Sequence, residues 1–178
     1  MRHLPKAEAL AALEAAASGA CVMCELATGL RDAALVIHRD ELATVLLDRF
    51  AAAPGHLLIV LSSHVEQVAR VPLEAYLHAQ RLAWWACRAL EATLSPRRTY
   101  VASFGSSAPL PTSFPHFHLH VVPIAEDGEN ARPAKVFSWA EGVWVFESDE
   151  EAEALADRVR AAWRKASADV VGAGASEP

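Results

Sequence analysis

The sequence predicts an α+β fold with a mostly antiparallel sheet. Strand-like runs come in two series, at 34–38, 43–48 and 56–62 and again at 98–104 and 116–123. One long helical pattern at 72–94 separates the series, and a second helical pattern follows them. Segregated runs of strands and helices argue for this class over a strictly alternating α/β fold. At 178 residues and 53% hydrophobic content, the chain can bury the core of one globular domain. That domain is expected over 1–168.

In order, residues 5–18 are rich in alanine and leucine, which predicts an N-terminal helix stopped at Gly19. The segment CVMCELATG reads as a short turn. Strands 34–38 and 43–48 are joined by the charged turn Arg39-Asp40-Glu41. The breaker Pro54-Gly55 precedes strand 56–62. In the long helix, Leu73, Tyr76, Leu77, Trp84, Cys87, Leu90 and Leu94 form an apolar stripe. A Ser- and Pro-rich loop covers 105–115. Residues 136–146 alternate as one or two strands. Ser148 and Glu151 mark the capped start of a C-terminal helix, and the tail 169–178 is expected to be disordered.

Composition narrows the function. The formal net charge is -6, which argues against binding nucleic-acid backbones, since these reward basic patches. No apolar run approaches the roughly 20 residues of a bilayer span, and the N-terminal segment lacks the apolar stretch of a signal peptide. A cytoplasmic protein with no membrane partner is expected. The three cysteines do not make a disulfide framework. Cys21 and Cys24 have the spacing of half a zinc site, whereas Cys87 reads as helix packing.

The chemistry concentrates in PHFHLHVVP. His116, His118 and His120 are two apart, so on a strand they share one face while Phe117, Leu119 and Val121 take the other. Imidazoles on a packed strand are costly without partners. The pattern His-apolar-His-apolar-His-apolar-apolar resembles the signature of the histidine-triad (HIT) superfamily. The stretch LLDRFAAAPGHLLIVLSSHVE resembles that family's Asp-containing turn, Pro-Gly-His strand and following histidine. CVMCELATG resembles the zinc-binding start of many bacterial members. The likeness covers residues 20–124, and three linked motifs in order are more specific than any one.

The resemblance implies a HIT-like fold: the sheet packs with the long helix, plus N- and C-terminal helices. It implies that His118 attacks the α-phosphorus of a nucleotide, forming a nucleotidyl-histidine that water or another acceptor resolves. His120 and His56 would donate to phosphate oxygens. Asp48 would accept the ribose hydroxyls, and Phe50, Leu47 and Ile37 would form an apolar slot for the base. Ser113 and Thr112 would approach the phosphates. Cys21, Cys24, His64 and His116 would hold one structural zinc with no open position. The implied partners are a small-molecule nucleotide and a second copy of the chain.

The chain departs from the pattern before the triad. Many relatives carry Gly-Gln-Ser or Gly-Gln-Thr there, and this chain has Pro111-Thr112-Ser113. Proline fixes φ and removes an N–H donor, so the leaving-group side is rebuilt. Two other readings follow: a nucleotide-binding regulator with little turnover, and a hydrolase using the three histidines as ligands to a catalytic zinc. Trp139, Trp144 and Phe146 read as a buried C-terminal layer, with a pocket wall or dimer contact as the other choices.

Overall fold

The computed structural model describes residues 1–16, 21–105 and 114–173. Its centre is an antiparallel sheet of β2 (Val36–Arg39), β3 (Ala43–Leu47), β4 (Leu57–Leu61), β5 (Arg98–Ala102) and β6 (His118–Ile124). The strand order is β2-β3-β4-β6-β5, so the histidine strand β6 lies between two partners. β3, β4 and β6 are buried at every position, as their near-continuous apolar sequences require. Asp40 sets the β2–β3 turn, accepting the amides of Leu42 and Ala43 at 2.9 and 3.0 Å.

The helices α3 (Leu73–Leu94) and α5 (Asp149–Ala173) pack on one face of the sheet, against Val45, Ile59, Leu119 and Val121. The expected stripe on α3 needs correction. Leu73, Leu77 and Trp84 are exposed, and the inward face is Ala75, Ala79, Leu82, Ala83, Ala86, Ala89 and Leu90. Small residues let α3 lie close to the sheet and to α5, so volume decides which face turns in. At the start of α5, the Ser148 hydroxyl accepts the Glu151 amide at 3.2 Å. The helix runs on to Ala173, where the sequence reading has a disordered tail from 169. Residues 174–178 lie outside the described residues.

The opposite face carries α2 (Val22–Thr28), whose Met23, Leu26 and Ala27 pack on Leu46, Leu58 and Val60. This segment is a helix, not the expected turn. Burial of its apolar face outweighs weak local propensity, and Gly29, at φ 76°, caps it. α1 (Lys6–Ala16) agrees with the expected N-terminal helix, though Gly19 lies outside the described residues. A small second sheet pairs β1 (Arg2–Leu4) with β7 (Val143–Val145). The expected strands at 136–146 are thus the end of α4 (Pro133–Phe137) and β7. Trp144 bridges to Ala51 through backbone bonds of 2.7 and 2.9 Å, which ties this annex to the loop between β3 and β4. Among the described residues, no helix is long and apolar enough to cross a membrane.

Candidate active site

The face of the sheet shared with α2 opens into a pocket that runs across the strands. Its β3 end is lined by Met23, Leu26, Leu46, Leu47, Asp48 and Phe50. His56, His118 and His120 stand in the middle, and Phe104 and Phe137 wall the β5 end. Leu13 and Trp139 from the annex also reach it. Phe50 and Leu47 of the sequence-derived base slot line the pocket, whereas Ile37 belongs to the main core. Phe104, Phe137, Met23 and Leu26 were not singled out from sequence. They are ordinary apolar residues, and only the fold places them at the pocket.

Strand alternation and register place the histidines. His118 stands opposite Val60 and His120 opposite Leu58 on β4, so both rings share the pocket face. The backbone fixes their chemistry. His118 Nδ1 lies 2.6 Å from the carbonyl oxygen of His116. A carbonyl only accepts, so Nδ1 carries the hydrogen and Nε2 keeps its lone pair for the pocket. Burial lowers the pKa of His118, which keeps that lone pair free near neutral pH.

His120 has the opposite arrangement. Its Nδ1 is 3.0 Å from His56 Nε2. His56 Nδ1 accepts the Ala52 amide at 3.2 Å, so His56 Nε2 bears the hydrogen and donates it to His120 Nδ1. His120 Nε2 therefore carries a hydrogen. It is buried and has no hydrogen-bond partner among the described residues. The His118 and His120 rings are 4.8 Å apart between centroids, so a nucleophilic lone pair and a free N–H stand side by side. Both nitrogens of His56 are engaged within the protein, so it reaches a ligand only through His120.

Asp48 follows β3 at the mouth of this group. Its Oδ1 accepts the Phe50 amide at 2.9 Å, and its Oδ2 is 3.1 Å from His56 Nδ1. Burial pushes Asp48 up to about 7, and the charge of Asp32 adds to this. Burial pushes His56 down to about 3, helped by His118, and drives His120 well below its ordinary value. Gly55 shapes the turn into His56 at φ 89°, where a Cβ would collide with Leu94. The two arginines at the pocket are both paired, Arg31 with Glu25 at 2.7 Å and Arg49 with Asp32 at 2.6 Å. Ser113 and Thr112 lie outside the described residues.

His116 turns away from its two neighbours. Its Nε2 donates to the Leu61 carbonyl at 2.8 Å, so the Nδ1 lone pair faces Cys24 Sγ at 3.4 Å and Cys21 Sγ at 3.6 Å. His64 Nδ1 is 3.3 Å from Cys24 Sγ, and its Nε2 lies 3.6 Å from Glu66. One ligand atom from each of Cys21, Cys24, His64 and His116 falls within 4.8 Å of the others. Tetrahedral zinc with ordinary Zn–S and Zn–N bonds puts sulfur and nitrogen about 3.5 Å apart, so the four residues fit that ion. Glu66 would orient His64 from behind, as outer carboxylates do for metal-bound imidazoles. Because His116 is turned into this group, the three triad imidazoles do not converge on one metal.

Residues 31–127, more than half of the chain, match the HIT domain. The chain belongs to this family. Members of the HIT family bind or hydrolyse nucleotides. An uncharacterised HIT-like protein of Mycoplasma genitalium is 29% identical over 118 residues, covering 66% of this chain and 82% of that protein. A zinc-bound histidine triad family protein from Mycobacterium smegmatis has a TM-score of 0.66 at 22% identity, over 84% of this chain and 97% of that one. Plasmodium falciparum diadenosine triphosphate hydrolase, solved with cyclomarin A, has a TM-score of 0.57 at 14% identity, over 75% and 79%. At these identities the structural likeness is one of fold.

The buried neutral imidazoles set a pH dependence. Unfolding frees His56 to titrate near 6.5, while in the folded protein it stays neutral down to about 3. Between those values the unfolded state binds more protons, so stability falls as pH is lowered. His118 and His120 act in the same direction. Asp48, raised in the folded state, acts in the opposite direction with a single proton. Melting temperature is therefore expected to fall between pH 6.5 and 4. In His56→Gln the free-energy slope should be shallower by about one proton, roughly 1.4 kcal/mol per pH unit. An unchanged slope in thermal denaturation series would contradict a neutral buried His56.

Proposed function

We propose that the protein is a nucleotide hydrolase or nucleotidyltransferase that acts at the α-phosphorus through a nucleotidyl-His118 intermediate. The observation that carries this reading is the 2.6 Å bond from His118 Nδ1 to the His116 carbonyl. It leaves a neutral, oriented Nε2 lone pair beside the free His120 N–H. A positioned imidazole splits one hard displacement into two easier ones, and a donor aimed at the phosphate oxygens stabilises the charge that develops there. The nucleoside lies toward β3, with the base among Phe50, Leu46 and Leu58 and the ribose hydroxyls on Asp48. Ser113 and Thr112 supply hydroxyls to the phosphate.

The leaving group then lies toward β5, against Phe104 and Phe137. The pocket arginines are paired, and segment 106–113 contains no lysine or arginine. A polyphosphate leaving group needs cations, so a neutral amine or alcohol suits this wall better than a nucleotide polyphosphate. Incubation with an adenosine phosphoramidate, diadenosine tetraphosphate and a GTP analogue tests the assignment. The phosphoramidate is expected to be consumed fastest. His118→Ala should bind a nucleoside monophosphate with little change and lose at least about 1,000-fold in turnover, the scale on which a nucleophile is removed. Tight binding with no turnover of any of the three by the wild type would make the protein a nucleotide-binding regulator.

The reading includes a homodimer and one structural zinc on Cys21, Cys24, His64 and His116. A closed set of four ligands gives the ion no catalytic position. It would pin α2 to the entry of β6 and so hold the His116 carbonyl that orients His118. Purified protein should contain about one zinc per chain. Cys24→Ser should lower both zinc content and melting temperature, because binding energy at a structural site is folding energy. A fully folded, metal-free protein indifferent to chelators would remove zinc from the account.

A further inference from the structure

We propose that Asp32 and Arg49 form a base-reading pair that selects guanine at the end of the pocket away from the leaving group. The proposal rests on the nucleotide reading of the site and concerns the base, on which the histidine chemistry places no demand. Apart from Asp48 and the histidines, the polar side chains that line the pocket among the described residues are Arg31, Asp32 and Arg49. All three belong to the nucleoside end. Arg49 follows Asp48 in the chain, and Asp32 is close enough for its charge to act on Asp48. Around them the lining is apolar, with Met23, Leu26 and Leu46. Such a slot holds any base by its faces, and a few placed polar groups decide which one is chosen.

The Asp32 carboxylate is 15% exposed yet only half used. Its Oδ1 accepts both Nε and Nη2 of Arg49, at 2.9 and 2.6 Å. Its Oδ2 accepts no hydrogen bond among the described residues, and it does not cap the helical turn Ala33–Leu35 that follows. A largely buried carboxylate oxygen needs donors. Asp32 also stands in left-handed backbone, at φ 53°, a costly conformation that clusters at ligand sites. The arginines are fixed in matching fashion. Arg31 places Nε and Nη2 on Glu25 Oε2 at 2.8 and 2.7 Å. Each guanidinium keeps its Nη1 hydrogens unspent among the described residues.

The pair therefore presents a fixed acceptor beside fixed donors, and guanine is the base that complements both. Its N1–H and its 2-amino group are neighbouring donors, matched to the two lone pairs of Asp32 Oδ2. Its O6 and N7 are acceptors, the atoms to which guanidinium groups bind most often. Adenine carries an amino group where guanine has O6, so it turns hydrogens toward the arginine and its N1 lone pair toward the carboxylate. In cytosine and uracil an acceptor lies beside the donor and meets the carboxylate likewise. The charges are paired within the protein, so the base is read by unspent hydrogens and lone pairs, and the neutral leaving group at the other end is unaffected.

Titration calorimetry of GMP, IMP, AMP and XMP against the wild type and Asp32→Asn tests the assignment. IMP is GMP without the 2-amino group, and XMP has an oxygen in its place. The wild type is expected to bind GMP about 10-fold or more tighter than each of the other three, the scale of one well-placed pair. In Asp32→Asn the amide oxygen still accepts from Arg49, while the amide hydrogens stand where Oδ2 was and suit the 2-oxygen of xanthine. GMP affinity is then expected to fall about 10-fold or more, and XMP to become the tighter ligand of the two. Equal wild-type affinities for GMP, IMP and AMP, or a preference for AMP, overturn the proposal, and so does a variant that keeps the preference for GMP over XMP. The wild-type order decides alone if the variant does not fold. If none of the four binds the wild type, the nucleotide reading of the site fails, which is a different result from binding without base preference.

Discussion

The site depends on one hydrogen bond, from His118 Nδ1 to the carbonyl of His116. An imidazole has one lone pair when neutral, and this bond decides which nitrogen keeps it. The carbonyl belongs to the residue just before β6, so its position is set by that strand's start. There His116 is anchored through Nε2 to Leu61 on β4 and through Nδ1 to the cysteine group beneath α2. The position of the lone pair is thus fixed by backbone, and no side-chain motion is needed to create it.

The segment from His116 into β6 carries several features within a few residues. The His116 ring, just before the strand, faces the cysteine group, while on the strand His118 presents a lone pair and His120 an N–H. Period-two geometry makes this possible, since Leu119 and Val121 spend the other face on the core beneath α3. The His56–Asp48 pair completes the set from the β3–β4 loop. That loop is held by the Ala51–Trp144 backbone bonds to the annex. Residues far from the chemistry, in β1 and β7, therefore brace the loop that orders His120.

The sequence carried the sheet and the triad face well, because alternating apolar residues and a period of two leave little freedom. Three features were not legible. α2 forms from a Cys-Val-Met-Cys segment whose helicity comes from burying Met23 and Leu26 against the sheet, which no local pattern shows. The inward face of α3 is mainly alanine, with Leu82 and Leu90, because close approach rewards small volume where hydrophobicity alone favours Leu73 and Leu77. The three-residue strands β1 and β7 are too short to signal themselves. Within the site, residue types were legible but ring roles were not. His56 reads as a phosphate donor until the Ala52 amide and His120 are seen to occupy both its nitrogens.

The most direct measurement is the identity of the phosphorus-bearing atom in a trapped adduct. Protein labelled with 15N in histidine would be mixed with an adenosine phosphoramidate, quenched in alkali and examined by 31P–15N correlation NMR, with peptide mapping for the site. Phosphorus is expected on Nε2 of His118, since Nδ1 is spent on the His116 carbonyl. Phosphorus on Nδ1, or on any other residue, would contradict it.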